Sequence, residues 1–377
     1  MRKTLTMRVE SDADTAFRAY LDTRFFGCLD GLRFLCITAV LFHHSPLMST
    51  YSPVSILASR GFLGVDFFFV LSGFLITTLL LREERRKGRF SLAGFYRRRA
   101  LRILPVYFLV VTAVGGYYVL VKGVPGAGEL WIHYYLFLSN FLTSDIPLLG
   151  VSWSLSVEEQ YYLVWPLLLL VTPRRILPGI LVVLIALNVA ISAGWFGFLG
   201  VAPPEVGHLR FALPNSTYAP ILIGSLLAFA LNRPEGFGML YRLGGWRHAP
   251  LVALALLLAA LLLLPRNVLG LPNLVLHLSM ACLLASVVMR EQNSLTPVLS
   301  WAPLRRIGQI SYGLYLYHLI GLDLVNRLLP EALTASGLFV FVAYFAVSVA
   351  IAEVSFRYYE TPFLRLRYRT APEAASS

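Results

Sequence analysis

The sequence predicts an all-α fold, a polytopic membrane bundle of about ten transmembrane helices, and three observations predict it. Of 377 residues, 57% are hydrophobic and only 14% charged, whereas an ordinary soluble domain carries about a quarter charged residues. The apolar residues gather into repeated runs of membrane-spanning length, such as Ile176–Leu199 and Leu251–Leu264 with its apolar flanks. The basic residues fall almost wholly between alternate runs.

Ten spans follow from these runs, at about 28–48, 61–81, 101–121, 151–172, 176–198, 212–231, 249–265, 272–290, 307–328 and 335–356. With both termini on one side, the opposite side keeps only Arg60, Lys122, Arg210, Arg266 and Arg327. With Arg33 counted as inner, the other 27 of the 32 Lys and Arg residues lie with the termini. The positive-inside rule then makes both termini cytoplasmic. It also accounts for the net charge of +12 without a nucleic-acid partner. The expected layout is a cytoplasmic segment at 1–27, a membrane domain at 28–364 and a cytoplasmic tail at 365–377. Residues 129–145 (apolar and aromatic, but broken by His133, Ser139 and Asn140) are expected to re-enter or lie at the outer interface. Cys28, Cys36 and Cys282 have neither metal spacing nor a disulfide framework, so packing is expected of them. No 20–50-residue period repeats, which places any chemistry within the bundle and its short loops.

Ionisable groups inside such spans are costly and functional by default. In the first span, Arg33 and His44 lie eleven residues apart, almost three helical turns, so they share a face about 16 Å apart along the axis. The second span begins on the outer side and carries Asp66 close to the level of His44, with Gly73 seven residues on and on the same face. Ser72 and Gly73 suit close helix packing. The loop REERRKGRFSLAGFYRRRALRILP is both topogenic and a candidate phosphate clamp through Arg97, Arg98, Arg99 and Arg102.

In the fourth span, VSWSLSVEEQYYLVWPLLLL, Glu158 shares a polar-aromatic stripe with Tyr161, Tyr162 and Trp165. The ninth, ISYGLYLYHLIGLDL, aligns Ser311, Tyr315 and His318 on one face. For His318, a satisfied core histidine and a functional one remain equally open. The tyrosines suit architecture or substrate lining, and Tyr161, Tyr162, Tyr315 and His318 form the expected lining set.

The blocks LDGLRFLCITAVLFHH, GVDFFFVLSGFLITTLL, FYRRRALRILPVY, WSLSVEEQYYLVWPLL, ISYGLYLYHL and FRYYETPFLR run from Leu29 to Arg365. In this order they resemble the acyltransferase type 3 family of integral membrane O-acyltransferases. That family includes O-antigen and exopolysaccharide O-acetylases, nodulation-factor acetylases and macrolide O-acyltransferases. Its Arg–ten residues–His signature falls on Arg33 and His44, and His43 is one residue out of that spacing. Its Asp after Gly-Val falls on Asp66, its Glu before x-Gln on Glu158, and its Glu-x-Pro on Glu360 and Pro362. Some members carry a C-terminal esterase-like domain, which is not expected here.

The resemblance implies an acyl-CoA co-substrate, most often acetyl-CoA, and no permanently bound cofactor. It also implies a hydroxyl acceptor on a glycan, a lipid-linked saccharide or a glycosylated small molecule, and residence in a bacterial inner membrane. Arg33 and the Arg97–Arg102 run are then expected to meet the CoA phosphates. His44 is expected as general base, with Glu158 or Asp66 fixing its tautomer; a covalent acyl-histidine route stays open beside direct transfer. No HExxH or paired-ligand spacing calls for a metal. A secondary transporter is the rival class, but it should show internal two-fold sequence symmetry, which this sequence lacks. A membrane sensor or scaffold has no need of an Arg–His pair on one helix face.

Overall fold

The computed structural model describes residues 2–23, 25–49, 53–195, 204–211, 218–265, 268–330 and 336–366. These are mostly helical. In chain order the helices of the first half are α1 (Arg2–Asp22), α2 (Cys28–His43), α3 (Pro53–Ser59), α4 (Leu63–Lys87), α5 (Leu92–Gly116), α6 (Ala127–Tyr135), α7 (Trp153–Val171) and α8 (Leu177–Ser192). Those of the second half are α9 (Ala219–Leu231), α10 (Pro234–Gly244), α11 (Ala249–Leu263), α12 (Leu271–Met289), α13 (Thr296–Leu299), α14 (Ala302–Gln309), α15 (Ser311–Leu328), α16 (Gly337–Ser355) and α17 (Thr361–Leu366).

Among the described residues, four stretches are long and apolar enough to cross a membrane: Leu63–Lys87, Leu92–Val121, Leu271–Met289 and Gly337–Leu366. A fifth is counted if α10 and α11, bent by 77°, make one span; α8 and α9 are shorter apolar helices. The chain is therefore a polytopic helical membrane protein, in the fold class that its composition predicts.

The chain divides into two compact units, the first made of residues 1–90, 168–202 and 213–309. Within it α4 packs along α9 at backbone contact. A Cβ on Gly73 would lie 1.9 Å from the Ile221 carbonyl oxygen, and one on Gly224 would lie 2.1 Å from that of Val70. Small residues on both helices permit this approach, the packing mode of membrane interfaces. Helix α2 has 16 residues and ends at His43, earlier than the apolar run suggests. Pro46 excludes the helical conformation from the residue before it and supplies no N–H to continue the ladder.

The described part of the N-terminal segment is itself helical and packs on α10 and α12. Its last turn is held by Arg82, which is 8% exposed and donates to the Tyr20 carbonyl at 2.6 Å and the Thr23 carbonyl at 2.5 Å. The same guanidinium lies over the rings of Tyr20 and Phe26, 4.8 and 4.9 Å from their centroids. Burial pushes the Tyr20 hydroxyl above its usual range, and the Arg82 charge opposes that shift.

The second unit comprises residues 91–167, 203–212 and 310–377. Ser91 caps α5 by accepting from the Gly94 N–H at 3.0 Å, and α5 continues as a π-helical turn over Tyr117–Val121. Within 129–145, α6 ends at Tyr135 after nine residues and a 3₁₀ turn follows at Ser139–Phe141. Nine residues rise only about 14 Å, so this segment does not cross as one helix. The departure from an all-α fold among the described residues is a two-stranded antiparallel hairpin, β1 (Glu205–Val206) and β2 (Leu209–Arg210), with Glu205 opposite Arg210.

Candidate functional site

In the first unit, Arg33 is 17% exposed at its side chain and donates from Nη1 to Asp30 Oδ1 at 2.8 Å. Asp30 is 2% exposed, and its Oδ2 lies 3.4 Å from Gln309 Nε2. A cation on an apolar helix needs such a counter-charge. Asp30 was absent from the expected set, though its three-residue offset from Arg33 in LDGLR is a helical pairing distance.

His44 sits at the C-terminal cap of α2, and its Nδ1 lies 3.0 Å from the Val40 carbonyl oxygen. Donation to that carbonyl puts the proton on Nδ1 and the lone pair on Nε2 of the neutral ring. His43 Nδ1 lies 3.1 Å from the Ala58 carbonyl oxygen, and its ring stands edge-on to Phe62 at 5.7 Å. His43 therefore ties α2 to the segment leading into α4. The two imidazoles meet edge to face, 5.1 Å between centroids.

Asp66 turns to a different imidazole from the expected one. Its Oδ2 accepts from His277 Nε2 at 2.9 Å, and His277 is 1% exposed on α12. The helical period explains the choice. Gly64 faces α2, since a Cβ there would lie 2.4 Å from the Cys36 carbonyl oxygen. Two residues on, about 200° around the helix, Asp66 faces α12. The tautomer of His44 is set by Val40 rather than by Asp66. His277, like Asp30, stood outside the expected set; the signal for it was a lone ionisable group in the apolar run LPNLVLHLSMAC.

In the second unit, Arg97 is exposed and Arg98, Arg99 and Arg102 are half-buried. The Arg99 guanidinium lies 5.0 Å from the Tyr162 ring centroid and 6.0 Å from that of Phe95. The Tyr162 hydroxyl in turn donates to Glu158 Oε1, one turn earlier on α7. Arg99, Tyr162 and Glu158 thus form one chain of contacts between α5 and α7. The adjacent Glu159 keeps Oε1 buried with no hydrogen-bond partner among the described residues. Tyr161 stacks on Trp165 at 5.6 Å.

Gln160 donates from Nε2 to the carbonyl oxygen of Phe137 and to Asn140 Oδ1, both at 2.8 Å. It thereby holds Phe137, a non-glycine residue with φ of 54°. The Tyr315 hydroxyl donates to the Val151 carbonyl at 2.8 Å and shares a 2.7 Å bond with Ser154, so it fastens α15 to the start of α7. His318 is fully buried, its Nδ1 2.5 Å from the Tyr315 carbonyl oxygen. Glu360 is 7% exposed, and Gly313 makes room for it: a Cβ there would lie 2.9 Å from Glu360 Oε1. Among the described residues no three metal-ligating side chains converge.

The expected residues therefore fall into two groups. Arg33, His44 and Asp66 belong to the first unit, and Arg97–Arg102, Glu158, Tyr161, Tyr162, Tyr315 and His318 to the second.

Comparison with known proteins agrees with the motif order. The peptidoglycan O-acetyltransferase OatA of Listeria monocytogenes is 29% identical over 355 residues, covering 89% of this chain and 55% of that protein. The O-acetyltransferase OatA of Staphylococcus aureus is 26% identical over 365 residues, covering 92% of this chain and 58% of that protein. The chain thus spans little more than half the length of these relatives. No solved structure matches it. The model of the acyltransferase domain family matches residues 26–354, and the chain belongs to this family, the type 3 membrane acyltransferases.

Proposed function

We propose that this chain moves an acetyl group from acetyl-CoA to a hydroxyl of a cell-envelope glycan, with a peptidoglycan-like strand as the first acceptor to test. The name of the Listeria relative supports that acceptor class. The membrane domain at 28–364 carries the reaction, and residues 1–27 and 365–377 lie in the cytoplasm. Arg33 binds a CoA phosphate at the cytoplasmic end of α2, and the pantetheine arm reaches along that helix toward His44.

The observation that carries this reading is the hydrogen bond from His44 Nδ1 to Val40. It leaves Nε2 as the basic atom at the far end of the helix that also holds Arg33. The acceptor O–H bond breaks as its proton passes to Nε2, and the oxygen attacks the thioester carbonyl carbon. The C–S bond then breaks, and the departing thiolate takes the proton back from the imidazolium as free CoA forms.

The test is turnover of radiolabelled acetyl-CoA by the purified protein in nanodiscs, with peptidoglycan fragments as acceptor. Wild type should release CoA and label the glycan, and His44→Ala should abolish both while remaining membrane-inserted. His43→Ala should be milder, since His43 binds backbone. Full activity in His44→Ala would remove it from the chemistry, and label held on wild-type protein would replace direct transfer with an acyl-enzyme.

A further inference from the structure

A cavity of about 330 Å³ opens where α2 begins, within the size range of small-molecule sites, about 300–1,000 Å³. It lies wholly in the first unit, between the turn Phe25–Cys28 and the end of α12 with the loop that follows. Val287 and Val288 supply an apolar wall, and Phe25 supplies a ring that is 58% exposed. Glu291 and Gln292, both exposed, complete one side. With a carboxylate and, among the described residues, no cation, this lining repels phosphate. It suits an aromatic base instead. The ring gives a stacking face, the carboxylate accepts from an exocyclic amine, and the amide donates to a ring nitrogen.

A cation stands beside the cavity. Arg305 of α14 is half-buried, five residues after Ser300 of the lining, and its charge acts on Cys28, another lining residue. Its Nε is buried without a hydrogen-bond partner, whereas Nη1 and Nη2 keep accessible surface. No hydrogen bond or ion pair among the described residues engages them. A partly buried charge without a counter-charge is costly, and two open guanidinium donors match a phosphate. Helix α14 also touches α2 closely. A Cβ on Gly308, one turn beyond Arg305, would lie 1.8 Å from the carbonyl oxygen of Asp30, the residue that pairs with Arg33. Arg33 itself stands five residues beyond Cys28, about 7.5 Å of rise along α2. The cavity and the two cations thus share the first turns of that helix.

We propose that this cavity binds the adenine of CoA and that Arg305 binds the 3′-phosphate of its ribose, leaving the pyrophosphate to Arg33. This rests on the acetyl-CoA reading above and names the part of the donor that is recognised away from the reacting atoms. Nothing in the cavity touches the thioester, so it sets donor affinity and donor choice rather than the chemical step.

The experiment measures displacement of radiolabelled acetyl-CoA from the whole protein in nanodiscs. The competitors are acetyl-CoA, acetyl-dephospho-CoA (which lacks only the 3′-phosphate) and S-acetyl-4′-phosphopantetheine (which lacks the nucleotide). Wild type should bind acetyl-CoA about tenfold more tightly than acetyl-dephospho-CoA, the worth of a charge-assisted contact. Arg305→Ala should weaken acetyl-CoA about tenfold and leave acetyl-dephospho-CoA within about twofold. Phe25→Ala should weaken both nucleotide donors about tenfold through lost stacking, and leave S-acetyl-4′-phosphopantetheine unchanged. A merely structural role would move all three donors together. Equal affinity of wild type for acetyl-CoA and acetyl-dephospho-CoA overturns the assignment of Arg305 and needs no variant to fold. Unchanged affinity of Phe25→Ala for both nucleotide donors overturns the adenine site. Either result leaves the acetyl-CoA reading intact, whereas absence of saturable acetyl-CoA binding by wild type overturns both.

Discussion

What a histidine can do depends on what its nitrogens touch, and His43 and His44 differ in this side by side. His44 spends Nδ1 on the carbonyl of its own helix, whereas His43 spends the same atom on Ala58, fifteen residues away. Arg33 is held in the same local manner by Asp30. Replacing Arg33 by Ala should raise KM for acetyl-CoA about tenfold or more and leave kcat within about threefold. An unchanged KM would remove Arg33 from donor binding. The placement of Arg33 within α2 and of His44 at its C-terminal cap was legible because both belong to one apolar run. The partner of Asp66 was not, because His277 stands 211 positions away and only the packing of α4 on α12 joins them. Tyr315 was expected as architecture or substrate lining from a polar stripe on an apolar helix, and its hydrogen-bond partner Ser154 was not legible.

At the scale of the element, the contact between α4 and α9 is set by what is missing from Gly73 and Gly224. The obstacle to any larger side chain there is a backbone carbonyl, which cannot rotate away as a flexible side chain can. Gly73→Leu should therefore destabilise the protein in detergent by at least about 2 kcal/mol, toward the upper part of the usual overpacking cost. Gly179→Ala on α8, where a Cβ would meet nothing within 4 Å, should be neutral or slightly stabilising. Thermal unfolding of the two variants checks this, and equal stability would mean that α4 and α9 are looser than drawn. The packing role of Gly73 was visible in its neighbour Ser72 and the apolar run around them. The early end of α2 and the bend between α10 and α11 were harder to see, since both follow from turn residues rather than from hydropathy.

For the molecule as a whole, the orientation proposed from the basic residues is open to labelling. In a background with Cys28, Cys36 and Cys282 replaced, Lys122→Cys should react with a membrane-impermeant maleimide in intact cells. Lys87→Cys should react only after permeabilisation, and the reverse pattern would invert the topology and move the donor site to the other face. The fold class and family were legible because apolar runs and motif blocks are local in sequence. The division into two units was not, since the second joins residues 91–167 to residues 310–377. The share of the OatA relatives matched, 55% and 58% of their lengths, confines what they say of this chain to the matched stretch.

The brevity of α2 has a consequence for the surrounding lipid. Sixteen residues rise about 24 Å, against a hydrocarbon layer of about 30 Å. A helix that short thins the bilayer beside it or leaves its ends below the headgroups. Under the proposed transfer the acyl group travels along this short helix, and acyl-chain length in the host membrane becomes a parameter of the rate.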